Sequence, residues 1–392
     1  MNTLSLESIE KQNVLGLSRA QWEVFFKDHG EKPFRAQQIL QWVHQRFVSS
    51  FEEMSNLSKP LRSLLEQHFF FPAIEVVSSQ HSVDGTRKWL IRTETLKSAI
   101  EVVYIPEEKR KTLCVSSQVG CVLNCQFCYT ATQGFERNLT SSEIIGQVWF
   151  VQNLLRKEYL EDRPDADITG IKYGISNVVF MGMGEPLLNL DAVLSSVSLL
   201  TDDFSYGLSK RRVTVSTSGV IPGIDELAKH TDVALALSLH APTNDLRDKL
   251  VPINKKYPIE DLPPAVARYL DHADRQMHVT IEYVMLAGVN DQIYHAQQLS
   301  KLIGRYISGR AKINLIPFNT FPTTKYTCSS PEVIREFAEV LRQKDIITTI
   351  RKTRGPDILG ACGQLAGDVQ DKTKRRQKYL QEMSQSVEIA LV

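Results

Sequence analysis

The chain has 392 residues, a formal net charge of +1 and an apolar content of 42%. This length favours a core domain of about two hundred residues or more with a smaller partner. No apolar run reaches the roughly 18 residues that a transmembrane helix needs, and the N-terminus lacks the order of a signal peptide, so we expect a cytoplasmic protein with no membrane contact.

Residues 1–72 are predicted to form a small helical accessory domain. Ser18 and Ser58 are candidate N-caps, Gly30 is a candidate helix stop, and an apolar pattern over 34–47 predicts a second helix between them. The domain carries no residues typical of catalysis. RNA binding and simple packing against the core are both open interpretations.

The hydrophobic period changes to two over residues 73–106, which predicts a strand extension that links the helical domain to the core. An Asp-Gly pair at 84–85 is a turn signal between two of these strands. Glu101 lies on the last strand and alternates with Ile100 and Val102. The pattern alone indicates a solvent-exposed side chain.

Over residues 107–353, strand-like apolar runs alternate with helical stretches. This alternation predicts parallel strands with crossover helices that close or half close into a barrel. A charged stretch at 159–174 is predicted to be a surface insertion. The strand candidates are 113–116, 178–181, 213–217, 234–239, 279–285, 313–317 and 346–350.

Three cysteines follow the first of these strands with the spacing C-x3-C-x2-C, namely Cys121, Cys125 and Cys128. Thiolates are soft ligands typical of zinc and iron–sulfur sites. Structural zinc needs four protein ligands, and no second cysteine pair or nearby downstream histidine completes that set. Three cysteines leave one iron of a [4Fe-4S] cluster open to a small molecule, and Phe127 is typical of loops that chelate S-adenosylmethionine. We therefore interpret the loop as a radical-SAM site.

Sites in parallel barrels lie at the carboxyl ends of the strands, where the other distinctive residues fall. After the second strand, Gly184 allows close backbone approach, and Glu185 can accept a hydrogen bond from the ammonium group of S-adenosylmethionine. A simple turn and a structural histidine are the alternatives for these positions. The remaining strand-end candidates are Ser216, Ser238, Leu239, His240 and Asn319.

Residues 354–392 are the predicted C-terminal catalytic-cysteine loop and tail. Cys362 stands there in the glycine-rich stretch RGPDILGACGQLAGDV. An isolated cysteine is usually an inert buried thiol. Near the barrel mouth it could instead be a nucleophile or a radical carrier. Basic clusters such as 109–111 and 372–376 are typical of solvated faces, but they permit an anionic polymer as partner.

Six motifs together resemble the RlmN family, the radical-SAM dual-specificity methyltransferases of 23S rRNA and tRNA. They are CVSSQVGC-x3-C-x2-C, GFERNLTSSEIIGQVW, GMGEPLLN, VTVSTSG, LALSLHAP and RGPDILGACGQLAGDV. The resemblance implies an α/β fold: a radical-SAM partial (β/α)6 barrel with a small helical N-terminal domain. The implied reaction is methylation of adenine C2 in the peptidyl-transferase centre of 23S rRNA and in tRNA at the adenosine 3′ of the anticodon. The implied cofactors are a [4Fe-4S] cluster and two molecules of S-adenosylmethionine per turnover.

The resemblance also implies roles for individual residues. Cys362 would become S-methylcysteine and then carry the methylene group to the RNA, and Cys114 would resolve the transient RNA–protein crosslink, leaving a transient disulfide. Glu101 matches a proton acceptor of the family. The implied cluster ligands are Cys121, Cys125 and Cys128, and the implied S-adenosylmethionine contacts are Gly184, Glu185, Ser216, Ser238, Leu239, His240 and Asn319.

The expected partners are the two RNAs and an electron donor such as a flavodoxin-type protein, and we expect a monomer. Two departures from the family bear on substrate fit. Tyr129 stands where many relatives carry a small residue, and the insertion at 159–174 is lengthened. Two alternatives stay open: a Cfr-like adenine-C8 rRNA methyltransferase with the same cysteines, and a non-catalytic, zinc-stapled RNA-binding protein.

Overall fold

The computed structural model describes residues 10–93, 98–166, 174–273, 278–322 and 324–377. In these ranges a ten-stranded mixed sheet is covered by helices, and a small helical unit packs against it. None of the helices in the described ranges is long and apolar enough to cross a membrane.

The N-terminal unit contains three α-helices and a short parallel strand pair. Its elements are β1 (Gln12–Asn13), α1 (Arg19–Asp28), α2 (Arg35–Leu40), a π-helix (Gln41–Gln45), α3 (Lys59–His68) and β2 (Phe69–Phe70). The predicted caps are confirmed, because the hydroxyls of Ser18 and Ser58 each accept a hydrogen bond from a first-turn backbone N–H at 3.4 Å. The second helix predicted over 34–47 is confirmed from Arg35 to Gln45, where its last five residues take the π form, and it ends before Phe47, which adopts a φ of 56°.

Three antiparallel strands extend one edge of the main sheet: β3 (Ile74–His81), β4 (Arg87–Thr93) and β5 (Ile100–Pro106). The expectation of a solvent-exposed Glu101 is wrong, because its side chain is only 9% exposed. Both faces of β5 are covered, since every residue from Ile100 to Tyr104 is buried. Strand alternation therefore does not distinguish an inner from an outer face here.

The core alternates strands and helices along the chain. Its elements are β6 (Lys111–Cys114), β7 (Gln118–Gly120), α4 (Tyr129–Thr132), β8 (Phe135–Asn138), α5 (Ser141–Asp162), β9 (Asn177–Phe180), α6 (Leu190–Thr201), β10 (Val213–Thr217), α7 (Ile221–His230), β11 (Ala234–Ser238), α8 (Asn244–Leu250), α9 (Leu262–His272), β12 (Val279–Met285), α10 (Ile293–Tyr306), β13 (Ala311–Pro317), α11 (Pro331–Arg342) and β14 (Ile347–Ile350). Short 3₁₀ turns lie at Val14–Gly16, Pro186–Leu188, Lys210–Arg212, Pro252–Lys255, Ile259–Asp261 and Pro356–Ile358.

The strand order of the main sheet is β14-β13-β12-β11-β10-β9-β6-β5-β4-β3. Neighbours from β6 to β14 are parallel, and neighbours from β3 to β6 are antiparallel. Helices cross over between successive parallel strands, so the predicted partial (β/α)6 barrel is confirmed, with β14 as a further parallel strand. Residues 159–166 of the insertion predicted at 159–174 are exposed or half-buried, with α5 continuing to Asp162, and 167–173 lie outside the described residues.

The N-terminal unit docks on α5 through close backbone contacts. Trp149 Nε1 donates to Val43 O at 2.9 Å, and Ser141 Oγ donates to Gly16 O at 3.1 Å. A Cβ atom on Gly16 would lie 2.3 Å from Ser142 Oγ, so a side chain at this position would separate the two surfaces. The helical unit is therefore held in a defined place beside the barrel.

Candidate active site

An open cavity lies at the carboxyl ends of the parallel strands. Most of the predicted site residues line it: Cys121, Cys125, Cys128, Gly184, Glu185, Ser216, Ser238, His240, Asn319 and Cys362. Leu239, Cys114 and Glu101 are not among the residues that line this cavity. Parallel strands bring these scattered positions together because all their carboxyl ends meet at one edge.

The cysteine loop is framed by the antiparallel pair β7 and β8. Cys121 N donates to Gly134 O at 2.7 Å and Gln126 N donates to Leu250 O at 3.0 Å, so both parts of the loop are bonded to the surrounding backbone. The ring of Phe127 lies 4.6 Å from the ring of His240 in an edge-to-face arrangement. Apolar residues form a seat under the loop: Ala241, Leu250, Val251, Val284, Leu286, Phe318 and Phe321.

Burial and neighbouring thiols raise the pKa of all three thiols. Burial and the Cys128 thiol together raise the pKa of Cys125 to about 12, and burial with both other loop thiols raises the pKa of Cys121. Bound cations reverse this balance, so the set suits a metal centre. Within the described ranges, no group of three His, Cys, Asp or Glu side chains is placed to hold a single metal ion. A cluster that offers a separate iron to each thiolate fits this donor set.

The Gly-Met-Gly-Glu-Pro turn packs tightly against the start of the cysteine loop. Gly184 has a φ of 99°, and a Cβ atom there would lie 2.5 Å from the Gln118 side chain. Glu185 is buried, and its Oε2 accepts from Ser218 N at 2.8 Å. Burial raises the pKa of Glu185, and the hydrogen bond from Ser218 lowers it. The glycine is thus required by packing as well as by backbone conformation.

His240 presents one ring nitrogen for hydrogen bonding to a ligand. Its Nδ1 accepts from Val284 N at 3.1 Å, which leaves the proton of the neutral ring on Nε2. Burial lowers the pKa of His240 to about 3, so the ring is neutral near pH 7. On the neighbouring strands, the hydroxyls of Ser216 and Ser238 lie 3.5 Å apart.

Sequence reasoning missed Arg247, a buried side chain of α8 that joins the strand ends beneath the cavity. Its Nε donates to Leu239 O at 3.0 Å, and its Nη2 donates to Ser218 O at 2.6 Å and to Ser238 O at 3.2 Å. Burial lowers the pKa of Arg247 to about 10. Leu239 contributes its main chain here, since its side chain is fully buried. In the sequence, Arg247 stands in a charged helix and looks like a surface residue.

A second, small cavity adjoins the first and is lined by both Cys114 and Cys362. Cys362 and Asn319 each line both cavities. The structure therefore brings together two cysteines that lie at opposite ends of the core. Burial and the neighbouring Cys362 thiol together raise the pKa of Cys114 to about 12.

Arg351 and Glu282 also belong to this group of residues and were missed. Arg351 forms a side-chain hydrogen bond to Cys362. Burial raises the pKa of Cys362, and the guanidinium lowers it. Burial also raises the pKa of Glu282, with Arg351 lowering it. The sequence held a signal for both residues. Glu282 is a charged residue inside the apolar strand β12, and Arg351 directly follows β14.

Glu101 and its ion-pair partner Lys88 each contact the loop that carries Cys362 at one place. Its Oε1 lies 2.9 Å from Lys88 Nζ, and its Oε2 accepts from Ala366 N at 2.7 Å. Lys88 Nζ in turn donates to Leu359 O at 3.3 Å. Burial raises the pKa of Glu101, and Lys88 lowers it. This buried pair therefore ties both ends of the Cys362 loop to the strand extension.

Known proteins are similar to this chain along nearly its whole length. The Radical SAM superfamily model matches residues 115–297, and the model of the ribosomal RNA large subunit methyltransferase N-terminal domain matches residues 12–70. The dual-specificity RNA methyltransferase RlmN of Alkalilimnicola ehrlichii is 53% identical, covering 94% of this chain and 98% of the relative. The corresponding protein of Marinobacter nauticus is 50% identical, with coverages of 95% and 97%. The crystal structure of a radical SAM methyltransferase from Sphaerobacter thermophilus has a TM-score of 0.79 at 37% identity, covering 90% of this chain and 99% of that one.

Proposed function

We propose a reaction for this chain on the premise that it belongs to the RlmN family of dual-specificity RNA methyltransferases, which are radical-SAM enzymes. The proposed reaction is methylation of adenine C2 in 23S rRNA, in the peptidyl-transferase centre, and in tRNA at the adenosine 3′ of the anticodon. One observation carries it: Cys114 and Cys362 line one cavity, and Cys362 also lines the cavity that Cys121, Cys125 and Cys128 line.

The proposed ligands of the [4Fe-4S] cluster are Cys121, Cys125 and Cys128. When bound, the cluster and S-adenosylmethionine would supply a 5′-deoxyadenosyl radical. Glu185 would accept hydrogen bonds from the ammonium group of S-adenosylmethionine, and His240 would donate from Nε2. The other proposed contacts to this cofactor are Gly184, Ser216, Ser238, Leu239 and Asn319.

Cys362 is proposed to carry the methyl group in two stages, which requires two molecules of S-adenosylmethionine per turnover. Its sulfur first displaces the sulfonium, so that an S–CH₃ bond forms as the C–S bond of the donor breaks and the thiol proton leaves. Arg351 supports this step because its guanidinium favours the thiolate. The S-methyl group of Cys362 would then lose one hydrogen atom to the 5′-deoxyadenosyl radical, and its methylene carbon would bond to adenine C2 as one electron leaves to the oxidised cluster and the C2 proton is lost. Cys114 would attack the Cys362 sulfur as the bond from that sulfur to the methylene carbon breaks. The methylene carbon takes up a proton to become the methyl group of the RNA, and a transient disulfide remains.

The role of Glu101 as a proton acceptor stays a prediction. Its carboxylate is engaged by Lys88 and by Ala366 N, and it lines neither of the two cavities. A role in holding the Cys362 loop agrees with these contacts. A proton acceptor would need a path from this carboxylate to the adenine.

RNA binding is proposed for residues 1–72 and for the rim of the second cavity. Arg351, Lys352 and Arg354 line that cavity, so its wall carries positive charge toward an incoming polyanion. We propose the strand extension at 73–106, the barrel at 107–353 and the catalytic loop and tail at 354–392 as the remaining units. A flavodoxin-type electron donor, a monomeric state and a cytoplasmic location complete the proposal.

The test is to express this chain in cells that lack the modification and to quantify methyladenosines separately in 23S rRNA and tRNA by mass spectrometry. We expect 2-methyladenosine in both RNAs with the parent chain, and none with Cys362→Ala or Cys114→Ala. Appearance of 8-methyladenosine instead would support the Cfr-like alternative. Anaerobically purified protein that contains zinc and no iron would support the zinc-stapled RNA-binding alternative.

A further inference from the structure

The basic run near the end of the described chain packs on the cysteine loop. We call residues 370–376 the C-terminal strap. Gln370 N donates to Glu136 Oε2 at 2.8 Å, and Lys372 N donates to Phe135 O at 3.1 Å, so the strap follows β8. Sequence analysis assigned this run to a solvated face, but one of its side chains turns inward.

Arg375 is that side chain, and its guanidinium binds three successive carbonyl oxygens of the cysteine loop. Nη1 donates to Leu123 O at 2.6 Å, and Nη2 donates to Cys121 O at 2.7 Å and to Val122 O at 3.1 Å. Arg375 is half-buried, whereas Arg376 beside it is exposed. A planar guanidinium with several fixed donors is well suited to such a set of acceptors.

The peptide between Val122 and Leu123 connects this arginine to a predicted cluster ligand. The Val122 carbonyl accepts from Arg375, and the Leu123 N–H donates to the Cys121 sulfur. In a trans peptide the C=O and N–H groups point in opposite directions. Holding the carbonyl outward on Arg375 therefore directs the N–H inward, toward the thiol.

The strap itself is anchored so that Arg375 is aimed at the loop. Asp371 packs against Gly134, which has a φ of 78°, and leaves no space for a side chain there. Asp371 Oδ1 accepts from the Thr373 hydroxyl at 2.6 Å, and Thr373 Oγ1 accepts from Arg375 Nε at 3.0 Å. A chain of hydrogen bonds thus runs from the base of the loop to the guanidinium.

We propose that Arg375 is a positioning residue for the cysteine loop, which it holds in the conformation that presents Cys121 to the cluster. The strap packs on this loop through the contacts of Arg375 and Asp371. Hydrogen bonds and charges around thiolate ligands tune cluster stability and potential. Loss of the guanidinium should therefore loosen the loop before any cofactor binds, and it should speed the loss of iron afterwards.

The first experiment uses the iron-free full chain and compares Arg375→Ala and Arg375→Lys with Arg376→Ala, which removes the same charge one position away. We expect amide hydrogen exchange over 118–134 to be about tenfold faster in Arg375→Ala, the size expected when hydrogen bonds to a charged group are lost. The exchange rate in Arg375→Lys should be intermediate, because lysine keeps the charge but lacks the planar set of several N–H donors. Arg376→Ala should match the parent chain.

The second experiment reconstitutes the same proteins anaerobically and follows iron release to a chelator. Faster release from Arg375→Ala than from Arg376→Ala is expected. Equal loop exchange and equal iron release in these two variants would overturn the proposal. Exchange outside 118–134 serves as the folding control, and a global rise confined to Arg375→Ala would also contradict a local role.

This inference rests on the proposed cluster ligands, and the two experiments fail in different ways. If the parent chain bound no iron, the cluster assignment would be wrong, while the exchange result would still report on the strap. If iron bound normally but the loop exchanged equally in all variants, only the role of Arg375 would be wrong.

Discussion

The proposed cluster thiols and the proposed carrier thiol lie on two loops that are held in different ways. The cysteine loop over 118–139 is hydrogen-bonded within its own hairpin and to Arg375, and it packs on an apolar seat. The Cys362 loop over 354–370 has one 3₁₀ turn, and it is held by side chains from distant elements, such as Glu101 on β5 and Lys88 on β4.

This difference follows from what the two loops must do in the proposed reaction. Cluster ligands keep one geometry, so a loop that pairs with itself is suitable. Cys362 has to meet a methyl donor, an adenine and Cys114 in turn. Its loop has a left-handed backbone conformation, with positive φ, at Gly355, Leu359 and Gly363. The residues that anchor this loop contact it on either side of the cysteine. Substitutions of those anchors should therefore affect one loop and leave the other intact.

Cys362→Ala should have the largest effect and should act on chemistry alone. We expect methylation of both RNAs to fall by at least about a thousandfold, because the nucleophile is lost. Iron content should be unchanged, since the cysteine loop is intact. Cys328→Ala is the matched control, because that thiol is exposed and lines neither cavity. Residual methylation in Cys362→Ala would contradict the carrier role.

Glu101→Gln should act on the Cys362 loop through Lys88. The substitution leaves a buried ammonium without its carboxylate, so we expect the free energy of unfolding to fall by about 3 kcal/mol in denaturant titrations. Amide exchange should rise over 359–366 and not over 118–134. The double variant Lys88→Met with Glu101→Leu should recover much of the stability. If its methylation also recovers, Glu101 is not the proton acceptor.

Arg351→Met should reduce the reactivity of Cys362. Removing the guanidinium raises the pKa of a thiol that burial already raises, so less thiolate is present at any given pH. We expect alkylation of Cys362 in the iron-free chain to be about tenfold slower at pH 8, measured by mass spectrometry. The alkylation rate should rise with pH in both proteins, and the pH profile of the variant should be displaced to higher pH. Coincident profiles would show that Arg351 does not influence the thiol.

Tyr129→Leu should give the smallest effect, at the place where the two loops meet. The Tyr129 ring stacks on Phe321 at 5.1 Å, and Tyr129 N donates to Gly363 O at 2.7 Å. We expect a loss of about 1 kcal/mol in the free energy of unfolding, because the substitution removes an aromatic pair. Tyr129→Phe keeps the ring and should be neutral. An equal loss in both variants would place the contribution in the hydroxyl group instead.

Local patterns in the sequence predicted much of the framework and of the main cavity. The capping residues, the alternation of strands and helices and the cysteine spacing each depend on neighbours within a few positions. Parallel topology then implies that strand-end residues such as Glu185 and His240 share one edge, and the structure places them there. The same patterns misjudged Glu101 and, within the basic run at 372–376, Arg375, because both side chains looked solvated.

The amino-acid sequence by itself determined where the thiols stand and which strands carry the pocket residues, because periodicity and spacing are local properties of the chain. Only the tertiary structure decided what holds those thiols. Arg375 reaches Cys121 across 254 positions, and Glu101 reaches Ala366 across 265. A charged side chain has the same local pattern whether it faces water or a distant carbonyl, so its partner is settled only when the folded chain brings the two together.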